Sequence, residues 1–186
     1  LAVGDTKVAL DGAKQILMEK FSENADLLAQ LRLFLQENGL LASRLVQGKE
    51  NEGAKFKDYF EHTEPLNKTP SHRALAMFRG RNEGILNLSL ILDTEERITD
   101  SHPCEAMIAD FWQIKYQDRP ADKWLAETVR WAWRIKLLTR LQTDLFGTLR
   151  EQAEQEAIRV FADNLKDLLL AAPAGAKATI GLDPGL

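Results

Sequence analysis

The chain has 186 residues, 45% of them hydrophobic, which is enough apolar surface for the core of one large or two small domains. Its net charge of −4 excludes a protein that wraps nucleic acid with its whole surface, because such binding depends on neutralising phosphates. The single cysteine excludes an internal disulfide, and no apolar run reaches the roughly 18–20 residues of a membrane span. Since Leu1 stands first without a signal peptide after it, we expect an internal piece of a larger cytoplasmic protein.

Helical signals begin at once and continue through residues 1–48. Asp5 or Thr6 is suited to cap a first helix, after which apolar residues recur at helical spacing. A second helix is predicted over 26–37, where Asn38-Gly39 gives a stop signal. With residues 40–46 these helices could form a helix-turn-helix-like unit, although helical hairpins more commonly serve plain packing.

The central region, residues 49–175, is also predicted to be mostly helical. A polar connector at its start is expected to be anchored by Phe56 and its aromatic neighbours. Pro103 is well placed as a first helical residue, and two long helices are predicted over 123–146 and 148–171. The fold class expected is therefore mainly α, a multi-helix bundle.

One short β element, at about residues 85–92, interrupts the helices. Leucines alternate there with mostly polar residues, which is the period of a strand. A lone strand leaves its backbone groups unpaired, so this one must pair either within the chain or with another part of the parent protein. A second strand-like pattern, residues 176–186, is predicted to begin another domain.

The densest polar constellation lies in residues 71–84. His72, Arg73, Arg79 and Arg81 share one short amphipathic helix and could contact phosphates, helped by the helix N-terminus. The alternative is a structural helix whose arginines pair with Glu64, Glu83 or an adjoining domain.

A second candidate group lies in a locally basic stretch between Lys115 and Arg140. Arg130 and Arg134 of this stretch are candidate nucleic-acid contacts. The alternative is a solvated helix face. The tryptophans nearby stand among aliphatic residues, as core positions would.

Catalytic patterns are missing from the sequence. The three histidines lack the spacing of metal ligands: His62, His72 and His102. The two common phosphate-binding glycine motifs, GxxxxGK[ST] and GxGxxG, do not occur in the sequence. We interpret the neighbouring pairs Ser71-His72 and His102/Cys104 as coincidence, since catalytic triads are defined by geometry. We therefore expect no cofactor and no complete active site in this chain.

Three segments resemble the bacterial Tex family of transcription accessory proteins, also called the YhgF type. They are Glu52 to Phe60, Pro70 to Gly84 and Gly181 to Leu186, and the similarity extends to the helical opening around Asp5 to Ala13. The strings are long and specific, and the resemblance spans essentially the whole chain.

The resemblance implies a parent protein with several modules. Residues 1–48 would end its N-terminal helical region, residues 49–175 would belong to its central helical region, and residues 176–186 would start a truncated YqgF or RNase H-like domain. Helix-hairpin-helix elements and a C-terminal OB-fold RNA-binding module would follow. Asp183 matches by position the first metal-binding Asp of RNase H-type nucleases, yet the family is not generally regarded as an active nuclease.

These observations favour a helical scaffold that orders the other modules and lends one basic surface to RNA, DNA or the transcription machinery. Alternatively, the chain is part of a metal-dependent nuclease, in which Asp183 is the first ligand of a metal site completed by residues further along the polypeptide. A third hypothesis is DNA recognition by the opening helices through Lys7, Lys14 and Lys20.

Overall fold

The computed structural model describes residues 5–93, 102–173 and 175–183 of the chain. Within these ranges the α-helices are α1 (Thr6–Glu23), α2 (Ala25–Asn38), α3 (Ser71–Asn82), α4 (Pro103–Phe111), α5 (Asp122–Trp131) and α6 (Leu138–Leu169). The strands are β1 (Gly39–Leu45), β2 (Glu61–Pro65) and β3 (Leu86–Leu92). Short 3-10 helices span Ala54–Tyr59 and Leu66–Lys68, and a π-helical segment, Ala132–Leu137, joins α5 to α6. Helices therefore dominate, as predicted.

The first helix boundaries follow from side-chain chemistry. Asp5 accepts a hydrogen bond from the backbone N–H of Val8 at 2.8 Å, which confirms it as the cap of α1. Pro103 is the first residue of α4, where its missing N–H leaves no hydrogen bond unmade. Helix α2 ends at Asn38, as the Asn38-Gly39 signal predicts, but the backbone of Gly39 is extended and begins β1 directly.

The β element predicted at about residues 85–92 is confirmed as β3, but the prediction that it is the one such element was wrong, because the described residues contain a three-stranded antiparallel sheet. Strand β1 lies in its centre and pairs with β2 on one side and with β3 on the other. Residues 40–46, which the sequence placed in a helix-turn-helix-like unit, are mostly this central strand. Three consecutive residues of β1, Leu41 to Ser43, are buried, so the strand does not alternate between apolar and polar positions.

The partner of the predicted strand therefore lies within this chain. Leu90 of β3 is paired with Leu41 of β1, which is itself paired with Glu64 of β2. The sheet joins residues on both sides of the predicted boundary at 48 and 49. The division into an N-terminal and a central region stays a prediction.

The predicted break between the two long helices does not occur. Helix α6 runs through Gly147, and the π-helical segment joins it to α5 without a loop. A glycine costs an exposed helix only roughly 0.5–1 kcal/mol relative to alanine, which is too little to end it.

The main core joins α1, α2, β1, β3 and the later helices. Phe21, Leu31, Leu41, Met77, Ile108 and Leu141 are among its fully buried side chains. A smaller cluster of Phe56, Ile85 and Leu86 anchors the connector, as predicted from its aromatic residues. Among the described helices, none combines the length and the apolar character that crossing a bilayer requires.

The end of the described chain differs from the rest. Every described residue from Ala157 to Asp183 is exposed, and residues 177–183 have no assigned secondary structure. Leu1 and residues 184–186 lie outside the described ranges. A first strand of a further domain over residues 176–186 stays a prediction, because a strand is formed by pairing with others.

Candidate nucleic-acid interface

Helix α3 positions the first predicted group of cations. Its apolar face is buried through Ala74, Met77 and Phe78, and the four basic residues lie before and after these positions. Pro70 occupies the cap position, and Ser71 is the first helical residue. His72, Arg79 and Arg81 are exposed and Arg73 is half-buried.

The α3 arginines are engaged with the protein itself. The Arg73 guanidinium donates to the buried carboxylate of Glu64 at 2.7 Å. Arg79 donates to Glu83 one helical turn later at 2.9 Å, and the Arg81 guanidinium lies 5.1 Å from the ring centre of Phe78. These contacts confirm the predicted pairing with Glu64 and Glu83. Their nucleic-acid role stays a prediction.

Glu83, just after α3, forms ion pairs with two cations. Lys55 Nζ lies 2.8 Å from one of its carboxylate oxygens and Arg79 Nε lies 2.9 Å from the other. Hydrogen bonds from Lys55 and then Arg79 lower the pKa of the Glu83 carboxyl below its ordinary value of 4.5. The anion thus links α3 to the 3-10 helix that carries Lys55.

Arg130 and Arg134 lie on a different part of the molecule, at the junction of α5 and the π-helical segment. Their side chains are 51% and 69% exposed, and each lies beside the buried carboxylate of Glu105 in α4. The closest N to O distances, 3.7 and 3.9 Å, are too long for hydrogen bonds. Both guanidinium groups therefore keep donors available to a ligand.

Trp131 lies between these arginines in the sequence and is 49% exposed. Together with Arg130, Arg134 and Ile135 it lines a surface hollow of about 290 Å³. Lys14 of α1 places its ammonium 4.7 Å from the Trp131 ring centre, a cation–π contact. We call Lys14, Arg130, Trp131 and Arg134 the tryptophan patch.

The interpretation of Trp131 as a core residue was wrong, whereas Trp133 is buried as expected, with 2% exposure. Residues two apart on a helix point in nearly opposite directions, so both tryptophans could not face one core. This spacing is the sequence signal that could have identified Trp131. Lys14 was named only in the hypothesis of DNA recognition. No pattern in the sequence predicted its contact with Trp131.

The start of α5, the helix that ends at Trp131, is fixed by Asp122. Its buried carboxylate accepts from the backbone N–H groups of Gln117 and Arg119, at 2.6 and 3.0 Å. These two hydrogen bonds, and then the side chain of Arg119, lower the pKa of Asp122 below its ordinary value of 3.8. The loop before α5 is thereby closed onto the helix.

The remaining candidates for chemistry, His102, Cys104 and Asp183, belong to neither α3 nor α5. His102 caps α4 by accepting from the N–H of Cys104 at 3.2 Å, and Cys104 is fully buried. Asp183 is exposed near the end of the described chain. In the ranges that the structure covers, no three His, Cys, Asp or Glu side chains come together as a metal site.

Comparison with known proteins identifies relatives of the chain. It is 59% identical to Protein YhgF of Escherichia coli over 99% of its length and 48% identical to Transcriptional accessory protein Tex of Neisseria gonorrhoeae over 98%. It is also 24% identical to human S1 RNA-binding domain-containing protein 1 over 94% of its length. The chain spans 24% of the length of each bacterial relative and 18% of the human one.

The family match covers most of the fold described above. The Tex central region-like family matches residues 2–161, which include the sheet, the tryptophan patch and the first part of α6. The chain belongs to the Tex central region-like family.

Proposed function

We propose that this chain is the helical scaffold of a cytoplasmic transcription accessory protein that binds RNA, and that it lends the tryptophan patch to that binding. The patch carries the proposal: an exposed indole ring lies among three cations on one surface. Relatives of the chain include a transcriptional accessory protein and an S1 RNA-binding domain-containing protein, which supports this proposal.

The chemistry of the patch suits a single strand. Cations neutralise phosphates, and an exposed aromatic ring stacks on an unpaired base of any sequence. Such stacking contributes about 1–3 kcal/mol per base when tested by alanine substitution. Trp131 is 49% exposed even with Lys14 over its ring, and the two guanidinium groups keep donors available to a ligand.

The overall charge fits a local contact rather than a complete binding module. The chain carries a net charge of −4, so nucleic acid is repelled by much of the remaining surface. We therefore propose that the full-length protein binds RNA more tightly than this chain does, through its other modules. We also propose that the chain itself is not an enzyme, and that Asp183→Asn leaves nucleic-acid binding unchanged.

The test measures the binding of labelled single-stranded RNA and DNA over a range of salt concentrations. The full-length protein and the 186-residue chain are compared with their Trp131→Ala variants. We expect the chain to bind more weakly than the full-length protein, and Trp131→Ala to weaken the chain by about 1–3 kcal/mol.

Trp124→Ala, a tryptophan variant outside the patch, is the matched control for general loss of structure. Equal affinity of the chain and the full-length protein would contradict the scaffold role. Unchanged binding by the Trp131→Ala chain would contradict the role of the patch.

A further inference from the structure

The C-terminal half of α6 extends beyond the body of the molecule. Ala153 is its last buried residue, and the helix continues to Leu169, a distance of roughly 24 Å at the rise of an α-helix. Every residue from Ala157 to the helix end is exposed. A helix of this length without a packed face is only marginally stable in water.

The exposed half of α6 is amphipathic. Val160 lies outside the apolar face. Five of the other large apolar residues follow helical spacing on that face and are 43–75% exposed: Ile158, Phe161, Leu165, Leu168 and Leu169. We call these five residues the leucine stripe. The charged residues occupy the opposite face: Glu156, Arg159, Asp163, Lys166 and Asp167.

The charged face needs no partner, because it forms its own ion pairs. Arg159 lies 2.7 Å from Glu156 and 3.5 Å from Asp163. The hydrogen bond to Glu156 raises the pKa of the Arg159 guanidinium above its ordinary value. The leucine stripe has no comparable partner among the described residues, and contiguous apolar surface of this kind marks an interaction site.

We infer that the leucine stripe is the docking surface for the domain that residues 176–186 are predicted to open, in the same polypeptide. The bacterial relatives are about four times as long as the match, so such a protein contains ample further chain. Ile180 and Leu182 are 85% and 91% exposed and lie a short connection beyond α6. Their alternating pattern is that of a strand with a face to bury.

Tethering favours this occupant over a second copy of the chain. A domain joined to α6 by a short connection has an effective concentration near the millimolar range, far above that of a separate molecule. The inference rests on the scaffold half of the proposed function, for which it names the surface. It does not involve the tryptophan patch.

The first experiment is hydrogen exchange on the full-length protein. We expect the amides of residues 158–169 to be protected, and Phe161→Ser combined with Leu165→Ser to lower that protection by about tenfold or more. The matched control on the opposite face, Arg159→Ser with Asp163→Ser, should change it far less. Fast exchange of this segment in the unmodified protein, or equal effects of the two double variants, would overturn the inference.

The second experiment identifies the occupant. A photoreactive benzophenone amino acid replaces Leu165 in the full-length protein, and Asp163 in the control. We expect crosslinks from position 165 to residues of the following domain within the same molecule, independent of protein concentration. Crosslinked dimers, crosslinks to another protein or none at all would overturn the inference. Salt-dependent RNA binding, measured on the same variants, reports on the tryptophan patch separately.

Discussion

Helix α3 and the junction of α5 with the π-helical segment both carry arginines, but the protein uses them differently. The α3 arginines are denser in the sequence, yet two of them are bonded to carboxylates and the third lies over Phe78. Arg130 and Arg134 lie near Glu105, at distances beyond hydrogen bonding, and flank an exposed tryptophan. Density of charge along the sequence therefore does not show which cations keep their donors. On α3, carboxylates occupy donors of Arg73 and Arg79, whereas Arg81 contacts only a ring among the described residues.

The largest loss of stability is expected from a substitution on the buried face of α3. Met77→Ala removes a fully buried side chain and should lower the free energy of unfolding by about 2–5 kcal/mol, because a cavity remains. Urea denaturation of the chain measures the change. Leu33→Ala, at a position 58% exposed, is the control and should change stability by about 0.5 kcal/mol or less. Similar losses in the two variants would contradict the assignment of α3 to the core.

A smaller loss is expected when the anion behind α3 is removed. Glu64→Ala leaves Arg73 without its carboxylate partner and should lower the free energy of unfolding by about 1–3 kcal/mol. RNA affinity should stay the same, since the tryptophan patch is untouched. Glu61→Ala, an exposed position of the same strand, serves as the control. A marked gain in RNA binding by Glu64→Ala would indicate that Arg73 is a ligand contact restrained by Glu64.

The contribution of Asp122 at the start of α5 is tested by measuring stability as a function of pH. The folded pKa of Asp122 is lowered, so its stabilising contribution is complete above the unfolded value of 3.8 and is lost as pH falls through the folded pKa. Asp122→Asn should therefore be less stable than the unmodified chain at neutral pH, with the difference shrinking below pH 3.8. Denaturation at several pH values measures the difference. A difference independent of pH would contradict the role of the ionised carboxylate.

The smallest effect separates the two groups of arginines directly. Arg130→Gln should reduce the slope of log affinity against log salt by about 0.7–0.9, the loss of one phosphate contact. Arg79→Gln removes the same charge from α3 and should leave more of the slope intact, because Glu83 already occupies its donor. Salt titration with single-stranded RNA compares the variants. A larger change for Arg79→Gln would reverse the assignment of the binding surface.

Local signals predicted much of the helical framework. Asp5 as a cap, Pro103 as a first helical residue and the end of α2 before Gly39 each depend on neighbouring backbone groups, so the sequence alone is sufficient to place them. Strand β3 was visible through its alternating leucines. Strand β1 was not, because a central strand buries consecutive residues and loses the alternation.

The family, the mainly helical class and the carboxylates that pair with Arg73 and Arg79 could all be predicted without a structure. They depend on strings, periods and residue types that can be read along the chain. The structure was needed to show that β1 joins β2 to β3, that Trp131 faces solvent beside Lys14, and that the donors of Arg130 and Arg134 stay available. Each of these features depends on segments distant in the sequence, whose approach is fixed by the shared core.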